Sequence, residues 1–167
     1  MKRLWSPWRH QYINSFKDEK SDIEACFFCE AISNLEVSKK NLVVYISNNA
    51  FVIMNKFPYN NGHLLIAPTS HHCDLHQLDS ETLKEIMDLQ VKSTLVLSEI
   101  YKPHGFNIGA NLGRAAGAGV PGHLHYHVLP RWNGDTNFLP IISETKVLSE
   151  TLEDSFDKIS EQFRKLF

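Results

Sequence analysis

Gly122-His123-Leu124-His125-Tyr126-His127-Val128-Leu129-Pro130-Arg131-Trp132 is the most informative stretch of this 167-residue chain. Side chains of an extended strand alternate between its two faces. Read as a strand over 123–129, the stretch puts His123, His125 and His127 on one face, about 7 Å apart in succession. Leu124, Tyr126 and Val128 then share the other face and can join a core. Imidazole titrates near neutral pH, so such a row can bind a metal or supply a nucleophile with flanking hydrogen-bond donors.

Working outward, four more strands are expected. Leu42–Ile46 and Phe51–Met54 are β-branched, apolar runs separated by the turn-prone pair Asn48-Asn49. His63–Ala67 follows Pro58 and the turn signal Asn60-Asn61-Gly62, and Phe106–Ala110 precedes the histidines. Between the third and fourth strands a helix is expected. Asp79 or Ser80 can cap it, and Glu81 and Glu85 suit its first turns. Leu83, Ile86, Met87, Val91 and Leu95 repeat at helical spacing, and Pro103 and Gly105 end it. A second helix over 148–166 aligns Leu148, Leu152, Phe156, Ile159 and Phe163. The expected fold class is α+β, an antiparallel sheet of about five strands with two main helices. A single domain spans 1–167, with an aromatic arm at 1–24 (Trp5, Trp8, Tyr12, Phe16), a core at 26–135 and the C-terminal helix.

Composition narrows the partners. With 43% hydrophobic residues and a formal net charge of −2, the chain suits one compact domain and no general polyanion binder, so nucleic acid is not expected. No apolar run approaches the roughly 20 residues a membrane span needs. The segment MKRLWSPWRHQYI lacks the apolar region of a secretory signal, so a cytoplasmic location is expected. Cys26-Phe27-Phe28-Cys29 has a spacing suited to metal or redox chemistry, or to two small buried hydrophobes. The loop Asn111-Leu112-Gly113-Arg114-Ala115-Ala116-Gly117-Ala118-Gly119 can bring backbone N–H groups to an anion, with Arg114 adding charge.

The run HLHYHVL resembles the signature of the histidine-triad family, alternating histidines with apolar residues. Phe51-Val52-Ile53-Met54-Asn55 and Pro58-Tyr59-Asn60-Asn61-Gly62-His63-Leu64-Leu65-Ile66-Ala67-Pro68 are similar to that family's other nucleotide-binding strands, and the likeness covers roughly 26–135. It implies that His125 attacks the α-phosphorus of a nucleotide, giving a nucleotidyl-histidine that a second acceptor resolves. It implies further that His127 bonds a phosphate oxygen, that His63 lies near the phosphates, Asn55 near the ribose and Asn111 over the phosphate chain. Gly117 and Gly119 fall in the substrate loop, and Trp132 is a candidate for stacking on a base or closing a dimer. Many hydrolases of the family carry glutamine where this chain has Gly119. The strings LWSPWR, GAG and PRWNGDTNF resemble a bacterial branch associated with dinucleoside tetraphosphate phosphorylase activity, in which inorganic phosphate is the acceptor. The resemblance also implies a structural zinc held by Cys26, Cys29, His71 and His123, with His72 and Cys73 competing for the third position, and a homodimer. Three functions follow: a nucleotidyl transferase or hydrolase of dinucleoside polyphosphates or phosphoramidates; a metallohydrolase with all three histidines on a catalytic metal; and a nucleotide-binding regulator.

Overall fold

A computed structural model describes residues 26–33, 35–136 and 147–167. The aromatic arm, with Trp5 and Trp8, lies outside them. Five strands, β1 (Val43–Ile46), β2 (Ala50–Met54), β3 (Leu64–Pro68), β4 (Gly105–Ala110) and β5 (Tyr126–Arg131), form one sheet in the order β1-β2-β3-β5-β4. Every neighbouring pair is antiparallel. Among the described residues three α-helices accompany it: α1 (Phe27–Ile32), α2 (Ser80–Tyr101) and α3 (Leu152–Leu166). This is the α+β architecture that the residue pattern predicts, with the short α1 added.

Because β-strand side chains alternate, the sheet serves two cores. Val44, Val52, Met54, Leu64, Ile66 and Val128 face α2 and α3, meeting Ile86, Leu89, Val96, Leu97, Phe156, Ile159 and Phe163. On the other face Val43, Phe51, Ile53, Leu65 and Ala67 pack against Phe28, Ala31 and Ile32 of α1. The histidines gather beside this second, smaller core. Asp79 caps α2 by accepting the Thr82 N–H, and Lys102 closes it in the left-handed conformation. Pro103 then stands just beyond the helix, as expected. Thr151 caps α3, whose buried face is Phe156, Ile159 and Phe163, while Leu148 lies before the helix.

Two expectations need correction. The histidine stretch is not one strand from 123: pairing starts at Tyr126, which faces Ile66 of β3 and Ala110 of β4. Leu124 N–H instead bonds the His72 carbonyl at 2.6 Å. Pro68, at the end of β3, has no N–H to offer a ladder, and the His123 ring takes its carbonyl. The second correction concerns α2. Of Leu83, Ile86, Met87, Val91 and Leu95, only Ile86 is buried; the other four are exposed. The buried face carries Ile86, Leu89, Gln90, Ser93, Val96 and Leu97. Both stripes have helical spacing, and docking on the sheet selects the second.

Candidate active site and metal centre

Three hydrogen bonds define which nitrogen each triad histidine uses. A carbonyl oxygen can only accept. His123 Nε2 lies 2.9 Å from the Pro68 carbonyl, so its proton is on Nε2 and the Nδ1 lone pair is left over. His125 has the opposite tautomer: Nδ1 donates to the His123 carbonyl at 2.8 Å, leaving the lone pair on Nε2. His127 Nδ1 lies 2.9 Å from His63 Nε2. The rings of His125 and His127 are neighbours, with centroids 5.2 Å apart. Burial pushes His123 down to about 4 and lowers His125 from its ordinary value. Both rings are therefore neutral bases near pH 7.

The His123 lone pair faces sulfur. Its Nδ1 is 3.4 Å from Cys26 Sγ and 3.6 Å from Cys29 Sγ. His71 Nδ1 is 3.2 Å from Cys29 Sγ. All four ligand atoms lie within 4.8 Å of one another, the one such group among the described residues. Tetrahedral zinc with ordinary Zn–S and Zn–N bonds places sulfur and nitrogen about 3.6 Å apart. The donor set and spacing thus fit a closed Cys₂His₂ zinc site. Cys26 is the N-cap of α1 and Cys29 lies in its first turn, which brings the two thiols to one side. Burial, with the Cys26 thiol beside it, pushes Cys29 up to about 11; a bound dication would reverse that preference. His72 and Cys73 do not join. His72 contributes its carbonyl to Leu124, and Cys73 Sγ points to Asp74 and Gln77.

The Cys₂His₂ cluster and the triad are joined by more than sequence. The fully buried Phe28, between the two cysteines, lies against His123 (centroids 5.1 Å) and His125 (4.9 Å). Neither His125 nor His127 belongs to the metal group. Asp135, the nearest acidic residue downstream of the triad, is held by Arg131 at 2.6 and 2.8 Å and by Asn60 at 2.9 Å. A catalytic metal on all three histidines finds no support in this arrangement.

The remaining candidates divide. His63 and Asn55 come to the triad, but from behind it. His63 is 1% exposed; its Nδ1 receives the Tyr59 N–H and meets Asn55 Nδ2, both at 3.2 Å, while its Nε2 meets His127. Asn111 follows the last paired residue of β4, Ala110 opposite Tyr126, which brings its backbone level with His125. The loop behaves differently from a backbone anion cradle. The N–H groups of Ala116, Gly117 and Ala118 bond the carbonyls of Gly113 and Arg114. Gly117 supplies a left-handed turn, φ 90°, rather than an anion donor, and Gly119 is half-buried beside it. Trp132 is not brought to the triad: its indole N–H donates to the Tyr101 carbonyl, and it stands about 16 Å along the strand from His127. Residue patterns missed Phe28 and Tyr59. Tyr59 tilts against His63 (4.7 Å, 42° between planes) and stacks on His127 (6.2 Å, 11° between planes), and only its position before Asn60-Asn61-Gly62-His63 hinted at this.

A five-stranded antiparallel sheet presenting alternating histidines beside a glycine loop defines a histidine-triad protein. The profile of the HIT domain matches residues 36–134. The AP-4-A phosphorylase of Mycobacterium tuberculosis is 35% identical over 158 residues, covering 93% of this chain and 80% of that protein. An adenosine 5'-monophosphoramidase of Schizosaccharomyces pombe is 28% identical, over 65% of this chain and 76% of its own. Among solved structures, a zinc-bound histidine triad family protein from Mycobacterium smegmatis superposes with TM-score 0.68 at 25% identity, covering 87% of this chain and 97% of that one. The chain belongs to the histidine-triad (HIT) family.

Proposed function

We propose that the protein is a nucleotidyl transferase that cleaves dinucleoside polyphosphates, diadenosine tetraphosphate foremost, by phosphorolysis to ATP and ADP. The observation that carries this reading is the 2.8 Å bond from His125 Nδ1 to the His123 carbonyl. It pins the ring and leaves Nε2 as an oriented nucleophile. In the first step Nε2 forms a bond to the α-phosphorus as the bond to the bridging oxygen breaks, releasing ATP. The Nδ1–H stays on the carbonyl, which supports the charge the ring acquires. In the second step an oxygen of inorganic phosphate attacks the same phosphorus, the P–N bond breaks, and ADP leaves. His127 donates to a phosphoryl oxygen, and Asn111 and the Gly117–Gly119 loop border the phosphate chain. Similarity to the mycobacterial AP-4-A phosphorylase supports the choice of substrate, and Gly119 in place of glutamine leaves room for phosphate as acceptor.

Cys26, Cys29, His71 and His123 would hold zinc, which supplies a structural cross-link when bound and takes no part in the two displacements. Three free cysteines fit a reducing, cytoplasmic compartment; among the described residues no helix is long and apolar enough to cross a membrane. The exposed stripe Leu83, Met87, Val91 and Leu95 on α2, with the open edge of β4 and its exposed Ile108, supports a homodimer across that face. Sedimentation of a Met87→Glu, Val91→Glu variant as a monomer checks it.

Product analysis with diadenosine tetraphosphate, with and without inorganic phosphate, tests the reaction. ATP plus ADP only with phosphate is the expected result. AMP plus ATP in buffer alone would make the protein a hydrolase. Binding with no product in either tube would favour a regulator.

A further inference from the structure

Strand β4 carries a glycine that the fold does not require. Gly109 lies inside an unbroken ladder opposite His127, between Ile108 opposite Val128 and Ala110 opposite Tyr126. Its backbone is outside the left-handed region that Gly62, Gly113, Gly117 and Gly134 occupy. Apart from its chain neighbours, a Cβ on Gly109 would meet no atom of the described residues within 4 Å, whereas one on Gly62 would meet Leu97 at 2.9 Å. Glycine inside a strand weakens it, and often marks a place where a ligand or another backbone comes close. Gly105 is equally open, but it starts the strand, about 13 Å from the position opposite His127.

Paired residues of antiparallel strands point to the same face. Gly109 therefore faces the triad side of the sheet, while Ile108 shares the side of α2 with Val128. A second copy docked on α2 and Ile108 does not account for the gap at Gly109. Among the described residues, the other directions around the triad are filled. Toward β3, Leu65 pairs with His127 and is buried. His63 and the Tyr59 ring cover the His127 imidazole, with centroids 5.1 and 6.2 Å away, and Phe28 backs His125. The side left open is β4, at the edge of the sheet.

We infer that Gly109 is a specificity-determining residue: its missing side chain opens a path across β4, beside His127, for the leaving nucleotide of a dinucleoside polyphosphate. The inference rests on the reading of the triad as a nucleotidyl-transfer site and names a residue that selects its substrates. A mononucleotide ends at the α-phosphate and needs no such path. A dinucleoside polyphosphate continues beyond it with further phosphates and a second nucleoside, and a side chain at position 109 would stand in the way.

Titration calorimetry with AMP and with diadenosine tetraphosphate reads the path, in His125→Ala protein so that the ligand is not turned over. Adding Gly109→Val should weaken binding of diadenosine tetraphosphate about 100-fold and of AMP less than about threefold. Gly109→Ala, which intrudes by one carbon, should weaken the dinucleotide about tenfold and serves where valine disturbs the sheet. Because valine is favoured in strands, Gly109→Val should melt no lower than its parent. Unchanged affinity for the dinucleotide, or an equal loss for both ligands, overturns the inference. A shift in sedimentation with both affinities unchanged assigns the gap to a second copy of the chain and overturns it too. Failure of both nucleotides to bind protein with His125 and Gly109 in place instead overturns the nucleotidyl-transfer reading on which it rests.

Discussion

Replacing Phe28 with leucine tests whether the ring packed against His123 and His125 serves the fold alone or also the proposed nucleophile. Phe28 is fully buried and tilts against His123 and His125, with centroids 5.1 and 4.9 Å away and 42° and 34° between planes. Leucine keeps most of the apolar volume but loses two ring contacts, each worth about 0.5–1.5 kcal/mol beyond burial. The expected destabilisation is about 1–3 kcal/mol, which for a chain of this size lowers the melting temperature by about 3–10 °C. Alanine, which also opens a cavity, should cost about 3–5 kcal/mol. The effect on turnover comes from geometry. His125 keeps its bond to the His123 carbonyl but loses the wall on one face of the ring, and kcat should drop about tenfold, since small misplacements of a reacting group are costly. Circular dichroism melts and initial rates of ATP release at 25 °C read both effects. A leucine variant that melts lower as expected yet keeps kcat within about twofold would refute the coupling and leave the hydrogen bond as the sole restraint on the nucleophile.

Four further outcomes are expected. Elemental analysis should find about one zinc per chain, mostly lost in Cys29→Ser or His71→Ala and kept in His72→Ala, with chelation lowering the melting temperature by about 5 °C or more. Gly62→Ala should cost about 2–4 kcal/mol in urea unfolding, because Gly62 has φ +73° and an added Cβ would sit 2.9 Å from Leu97 Cδ2 and 3.0 Å from Tyr101 Cε2. Lys102→Gly should stabilise by about 0.5–1 kcal/mol, relieving a left-handed residue at the end of α2 (φ 45°). Arg131, the Trp132 N–H and Asn60 hold the Asp135 carboxyl far below the usual carboxylate range. Its contribution is present in full above about pH 4, its unfolded value, and is lost as pH falls through the folded one. Asp135→Asn should therefore be less stable by about 1.5–3 kcal/mol at pH 7, and the gap should narrow in melts taken below pH 4.

Much of the fold was legible because its signals are local. The runs around Val43 and Val52 are short, β-branched and bounded by turn residues, those around Leu64 and Ile108 are short and follow turn signals, and each forms a strand. Asp79 caps α2, and Phe156, Ile159 and Phe163 bury the face of α3 that their spacing predicts. The short α1 gave no periodic signal over six residues. On α2 the more regular apolar stripe is the exposed one, because periodicity reports that a face is apolar and not which surface will cover it.

The sequence by itself determined the chemistry available: three histidines in alternation, a Cys-x-x-Cys pair and a further histidine at 71. Those are local facts of residue type and spacing, and alternating side chains along an extended chain need no tertiary contact to be read. Only the tertiary structure decided what each group does. Pro68 lies 55 residues from His123 and Cys26 lies 97 from it, yet these neighbours turn the His123 Nδ1 toward the two thiols and set His123 apart from His125. His63 meets His127 at 2.9 Å across 64 residues of chain. An imidazole offers two nitrogens of equal standing, and which one keeps the proton is set by the acceptor or donor that folding brings against the other.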